Sequence, residues 1–278
     1  MDLLNIPNDD VIHELAKDFS SASPVPHISL DAMLGNYAEI SKSFPGSDWP
    51  HWQGLGDSYQ RNKVSCRKSE LFPRAIYNLI SELNSPRCLS FLESLTGIKK
   101  LIPDPYLEGG GLHLSTAGGV LEPHTDFHIY QRLNLYRRVN LILYLNDDWS
   151  KGDGGELRLW KKSDQTEDRP EIEIEPIGGK MVIFETSDQS VHGFTNPVRN
   201  ERRSIAIYYY TSEDSSVFSG DYTTHWNVEM QKSGLVGLRN FLYRFLLQTS
   251  RAFSFAAHLV NPRQGLKWWK VRSKQRDF

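Results

Sequence analysis

The spacing of apolar residues changes period along this chain, and each change predicts a change of structure. From Asn8 to Phe19 the apolar positions are Ile12, Leu15, Ala16 and Phe19, the three-and-four spacing of one helix face. Residues 20–74 lose that pattern. They are mixed and rich in Pro, Ser, Gly and Trp, and predict only irregular structure and short elements. Helical spacing returns between Arg74 and Leu95, with Ile76, Leu79, Ile80 and Leu83 on one face and a break at Ser85-Pro86. From Leu112 the period shortens to two. Strands are predicted over Leu112–Ser115, Leu121–Phe127, Arg138–Leu145, Glu156–Lys161, Glu171–Glu175, Lys180–Glu185, Ser190–Phe194 and Arg203–Thr211. Turn residues separate them at Ala117-Gly118-Gly119, Asn146-Asp147-Asp148, Gly152-Asp153-Gly154-Gly155 and Ile177-Gly178-Gly179. Short strands at such regular spacing predict a jelly roll, a double-stranded β-helix of two facing antiparallel sheets. The fold class is therefore α+β, with N-terminal helices bracing the core and a helical C-terminal tail. Boundaries are expected at residues 1–110, 111–212 and 213–278.

Charge changes the picture of the tail. The formal net charge of -2 gives no global argument for nucleic acid, and none is expected as a partner. That small total hides an asymmetry: from His225 to Phe278 ten Lys or Arg stand against Glu229 and Asp277, a net +8, which leaves -10 in the rest. Leu235 to Val260 is the tail's most apolar stretch, but Arg239, Arg244 and Arg251 interrupt it, so no transmembrane segment is expected. An amphipathic helix or helix pair fits better. The plain expectation is that Leu238, Phe241, Leu242, Phe245 and Leu246 pack on the body while the arginines stay in water. The alternative is a segment that binds a membrane surface or an anionic substrate. Cys66 and Cys88 are too few for a disulfide framework and match no zinc spacing. The first ten residues lack the basic and apolar regions of a signal peptide, so a cytoplasmic setting is expected.

The candidate chemistry lies in the strand-rich part. His124 and Asp126 are two residues apart in Glu122-Pro123-His124-Thr125-Asp126, a spacing that puts both side chains on one face of a strand. His192 follows after several predicted strands. Two imidazoles and one carboxylate are the ligand set of a facial triad on non-haem Fe(II), with positions left open on the metal. The same set also suits catalytic zinc, and both histidines could be ordinary polar strand residues. Arg202, ten residues beyond His192, is placed to hold an organic acid near the metal.

Residues 111–211 resemble the Fe(II)/2-oxoglutarate dioxygenases, in the branch that contains the prolyl 4-hydroxylases. The resemblance rests on His124-Thr125-Asp126, the strand Val139 to Asn146, Trp149, Gly154-Gly155-Glu156-Leu157, His192 and Arg202-Arg203-Ser204, in that order. It implies that His124, Asp126 and His192 bind Fe(II) and that Arg202 binds the distal carboxylate of 2-oxoglutarate, with Tyr144 and Ser204 on the same carboxylate. It implies an oxygenase that uses O2 and 2-oxoglutarate, releases succinate and CO2, and takes ascorbate as a reductant. His113 and Ser115 share a strand face and are expected around the site rather than on the metal. The segment Phe127 to Arg138 reads either as a solvated surface loop or as a lid that recognises an anionic or hydroxylated small molecule. Amino-acid, sugar and nucleotide derivatives are the expected substrates. A peptidyl-prolyl or other protein hydroxylase is the alternative within the class, and a non-catalytic jelly-roll binding module the alternative outside it. The oligomeric state is not legible.

Overall fold

Asn8 starts the first helix by accepting a hydrogen bond from Val11 N at 3.0 Å, with Asp9 and Asp10 in the first turn, where carboxylates complement the helix dipole. This helix, α1 (Asp9–Ser21), turns Ile12 and Phe19 inward. A short α2 (Tyr37–Lys42) follows. The long apolar pattern from Arg74 resolves into two helices, α3 (Arg74–Leu83) and α4 (Pro86–Thr96), with the break at the expected place. Ser85 caps α4 through Cys88 N, Pro86 occupies its first turn, and Gly97 closes it in the left-handed conformation at φ +74°. The structure is a computed structural model. It describes residues 3–54, 59–161, 170–213 and 224–226, and separate helical positions between 238 and 256.

Thirteen strands are described: β1 (His27–Leu30), β2 (Gln53–Gly54), β3 (Gln60–Cys66), β4 (Ile102–Pro103), β5 (Gly111–Thr125), β6 (Ile129–Tyr130), β7 (Leu135–Tyr144), β8 (Leu157–Trp160), β9 (Ile172–Ile174), β10 (Met181–Glu185), β11 (Val191–Phe194), β12 (Arg202–Thr211) and β13 (His225–Trp226). The main path runs β1-β10-β7-β12-β5-β11-β8-β9, every neighbour antiparallel. β3 adds to the long β5, and the sheet curls into the jelly roll expected from the strand spacing.

Strands β7 and β12 show how alternation divides the interior. Val139, Leu141, Leu143, Ile205, Ile207 and Tyr209 face one way and join Ile76, Leu79, Leu83 and Leu92 of the helices in the main core. Tyr209 fixes that contact with a 2.8 Å hydrogen bond to Leu83 O. The opposite set, including Asn140, Ile142, Arg202, Ser204, Ala206 and Tyr208, faces the inside of the barrel.

Three expectations need correction. Ala117-Gly118-Gly119 is a bend inside the continuous β5, not a turn between two strands. Val198 bridges it on both sides, accepting from Gly118 N at 2.7 Å and donating to Gly119 O at 3.0 Å. The segment before β7 is not one loop: β6 pairs with the start of β7, which begins at Leu135 rather than Arg138. The tail's described positions from Leu238 onward are helical, but Leu238, Phe241, Leu242, Phe245 and Leu246 are 48–65% exposed, not covered as expected. Residues 1–227 and 228–278 form separate compact units. Among the described residues no helix is long and apolar enough to cross a membrane.

Candidate active site

The site is built where β5 and β11 pair, His192 lying opposite His124. A bulge follows at once, since Leu121 to His124 on β5 spans one residue more than His192 to Phe194 on β11. Pro123 sits inside it, where a missing N–H is tolerated. Gly193 has to be glycine here: a Cβ would stand 2.6 Å from Leu121 O. Asp126 comes one residue after β5 ends, and its carboxylate turns back to the two rings. His124 Nε2 lies 3.8 Å from Asp126 Oδ1, and His192 Nε2 lies 3.4 Å from Asp126 Oδ2. One ligand atom from each residue falls within 4.8 Å of the others, and all three side chains are buried.

The tautomers follow from the neighbours. His124 Nδ1 is 2.9 Å from Glu122 O, and His192 Nδ1 is 2.9 Å from Ser190 O. A carbonyl only accepts, so each Nδ1 carries the proton and each Nε2 presents its lone pair to the cluster. Burial, reinforced by His192, pushes His124 down to about 3, which keeps it neutral and able to ligate at ordinary pH. Burial alone would raise Asp126. Arg137, His192 and His124 outweigh it, and the carboxyl is held well below the usual range.

Arg137 was hidden in the supposed loop, and it is the main residue the sequence reading missed. It is almost completely buried, with Nη2 3.1 Å from Asp126 Oδ2. Asn140 completes the clamp: its Oδ1 accepts from Arg137 Nε at 2.9 Å and its Nδ2 donates to Asp126 Oδ2 at 2.6 Å. Both groups hold the same carboxylate oxygen, which leaves Oδ1 as the natural metal ligand. Tyr208 stacks on the guanidinium at 3.2 Å. The available signal was position: Arg137 and Asn140 are three apart at the entry of an apolar strand, where charged residues are rare.

A cavity of about 390 Å³ opens over the cluster. Arg202 lies along its wall. Its Nε donates to Gly155 O at 2.8 Å, Nη1 reaches Ser204 Oγ at 3.4 Å and Nη2 donates to Tyr144 OH at 3.0 Å. The planar head lies over Phe194 at 4.3 Å. Gly155 makes this possible, at φ +78°, because a Cβ there would come within 2.9 Å of Arg202 Cδ. Trp149 holds the preceding turn by donating to Gly154 O at 2.9 Å. Ser204 and His113 line the cavity, whereas Ser115 is buried away from it. Tyr144 is fully buried and meets the site through Arg202 rather than by lining the cavity.

All partners of Arg202 are neutral, and among the described residues no carboxylate pairs with it. A buried cation without a counter-charge is costly, so an anion in the cavity would complete it. A metal-ligating triad beside a waiting guanidinium is the arrangement on which the family comparison bears. Residues 110–210 match the family model of the 2OG-Fe(II) oxygenase superfamily. These residues are a 2OG-Fe(II) oxygenase domain.

Solved structures agree on the fold of this chain. It is similar to a prolyl-4-hydroxylase from Pseudomonas putida, at 17% identity over 72% of this chain and 98% of that one, with a TM-score of 0.50. A prolyl hydroxylase from Trichoplax adhaerens, in complex with a hypoxia inducible factor oxygen degradation domain peptide fragment, matches at 17% identity over 73% and 90%, with a TM-score of 0.50. HygX from Streptomyces hygroscopicus, with nickel and 2-oxoglutarate bound, matches at 11% identity over 77% and 96%, with a TM-score of 0.50. At such identities these likenesses speak for the fold alone. The donor set fits the cofactors of that family: two imidazoles and one carboxylate would suit Fe(II), and a guanidinium without a carboxylate partner would suit the distal carboxylate of 2-oxoglutarate.

Proposed function

We propose that the protein hydroxylates a polar small molecule, an amino-acid, sugar or nucleotide derivative, while converting 2-oxoglutarate to succinate and CO2. The observation that carries the substrate class is the cavity wall beyond β5 from Arg202, where Lys63 and Ser65 pair with the same β5 residues, Ser115 and His113, that pair with Arg202 and Ser204. Strands β2 and β3, outside the family-matched segment, bring Gln53, Gln60, Lys63, Ser65 and Arg67 to the cavity. Such a concentration of hydrogen-bonding side chains suits a ligand with several hydroxyl, amide or acidic groups. The volume lies within the roughly 300–1,000 Å³ of small-molecule sites.

In this reading Fe(II) with 2-oxoglutarate and O2 supplies the oxidising chemistry when bound. The chain's own part is positioning. Arg137 and Asn140 fix Asp126, the carbonyls of Glu122 and Ser190 fix the two imidazoles, and Arg202 takes the cosubstrate's far carboxylate. Ile142, Leu157 and Phe194 give the inner cavity apolar walls that keep water from the reacting end.

The test is protein loaded anaerobically with Fe(II) and 2-oxoglutarate, mixed with a panel of polar metabolites and then exposed to O2. Succinate release coupled to a product heavier by one oxygen is expected from a member of that panel. Coupled hydroxylation of prolyl peptides with none of the small molecules would replace this reading with the protein-hydroxylase alternative. Absence of any 2-oxoglutarate turnover would favour the binding module.

A further inference from the structure

The C-terminal unit carries a feature that oxygenase chemistry does not use. Leu238, Phe241, Leu242, Phe245, Leu246 and Phe253 are all helical, and their exposures are 57%, 65%, 48%, 55%, 62% and 76%. Thr249 Oγ1 donates to Leu246 O at 2.8 Å. At 100° per residue these six helical positions fall within an arc of about 140°, so their side chains share one apolar face. Soluble proteins seldom leave such a stripe uncovered.

Charge identifies the occupant. From His225 onward the sequence holds a net +8, including Lys267 and Lys270 on either side of Trp268-Trp269. A second copy of the same tail would bring +8 against +8, which opposes self-association. Nucleic acid would leave the apolar stripe in water. An anionic lipid surface satisfies both features at once: the stripe enters the acyl boundary, the basic residues meet phosphates, and paired tryptophans suit the interface.

We infer that the C-terminal unit binds anionic membrane surfaces through an interfacial helix whose apolar stripe runs from Leu238 to Phe253. The inference is independent of the substrate reading. Full-length protein is mixed with vesicles of phosphatidylcholine alone or with phosphatidylserine added, and bound protein is measured by sedimentation. Binding is expected to be strong only with phosphatidylserine and to weaken with added salt. The double substitution Phe241→Glu and Phe245→Glu is expected to lower vesicle affinity by roughly tenfold or more. Both residues are exposed, so helix content by circular dichroism should be unchanged and shows that the variant is folded. Three results would overturn the inference: no binding to phosphatidylserine vesicles, binding that survives the double substitution, or a wild-type dimer in solution that the double substitution abolishes.

Discussion

Two buried arginines stand at opposite ends of one cavity, and their differences explain which end is structural and which is open to a ligand. Both are nearly inaccessible, Arg137 at 1% and Arg202 at 5%, and both lie over aromatic rings. Arg137 has a counter-ion within the chain, the Asp126 carboxylate at 3.1 Å. Among the described residues Arg202 has polar contact with only a carbonyl and two hydroxyls. The first charge is neutralised by folding and serves to aim a ligand atom. The second is left for a molecule that the chain does not contain. A cavity with one satisfied and one unsatisfied cation is suited to a metal at the first end and an organic anion at the second, which is the proposed arrangement.

The severest way to break this comparison is to remove the metal end. His124→Ala, Asp126→Ala and His192→Ala each delete one of three ligands and are expected to abolish both Fe(II) binding and 2-oxoglutarate turnover, while thermal unfolding stays cooperative. Near-normal iron content in any one of them would mean that the ligand set is wrong.

Next in size is the satisfied arginine itself. Arg137→Met keeps much of the volume but strands a buried carboxylate, and losing one partner of such a pair costs about 3–5 kcal/mol. Denaturant unfolding of the metal-free protein should show that loss. Unchanged stability would place Asp126 in water and dissolve the contrast between the two ends.

This arginine also marks how far the sequence could be read. The strands of the core, the helix break at Ser85-Pro86 and the triad His124, Asp126 and His192 were visible because each follows a periodic or spaced pattern. The inward set Arg202, Ser204, Ala206 and Tyr208 was visible for the same reason, since alternation is strict along that part of β12. Arg137 was invisible because its partner is eleven positions upstream and Arg132 and Arg138 stand close by as equally plausible candidates. Strand β3 was missed because Asn62 stands at φ +50° in a bulge that breaks the alternation between Arg61 and Lys63. The tail's helical stripe was legible, but its exposure was not, because periodicity says which side chains share a face and not what covers it.

The open arginine is tested through the cosubstrate. Arg202→Ala removes a charge-assisted bidentate partner worth about 1.5–3 kcal/mol and should raise the 2-oxoglutarate requirement roughly 10- to 100-fold. Lysine at that position should rescue only in part, because it restores charge without the planar fork. Arg203 points away from the cavity and pairs with Glu201 at 2.6 Å, so Arg203→Ala should change the requirement little. The reverse pattern in a 2-oxoglutarate titration would shift the register of β12 by one residue.

Acid should loosen the metal end of the metal-free protein. Burial holds His124 down to about 3 and His113 well below its usual value, whereas both titrate near 6.5 when unfolded. Below that pH the unfolded chain binds more protons than the folded one, so the stabilisation present above about pH 6.5 is lost as pH falls. For His124 the loss at pH 5 is about 2 kcal/mol. Replacing His124 with Gln should flatten the decline measured between pH 7 and 5, and an equally steep decline in that variant would assign it to other groups.

The finest test asks what Tyr144 adds to Arg202. Its hydroxyl accepts from Nη2 at 3.0 Å, in a position closed to solvent. That bond fixes one edge of the guanidinium and leaves the tyrosine's own proton directed elsewhere, while burial and loss of solvent raise the phenol so that it stays neutral beside the cation. Tyr144→Phe removes a single hydrogen bond and little volume. The expected cost is about 0.5–1.5 kcal/mol, or roughly a two- to tenfold higher 2-oxoglutarate requirement. A positioning role predicts more than a weaker cosubstrate: in the Arg202→Lys background, where no planar fork remains to be aligned, Tyr144→Phe should cost little further. If the two losses simply added, the hydroxyl would be touching the cosubstrate itself, and the open end would hold its anion with two side chains instead of one.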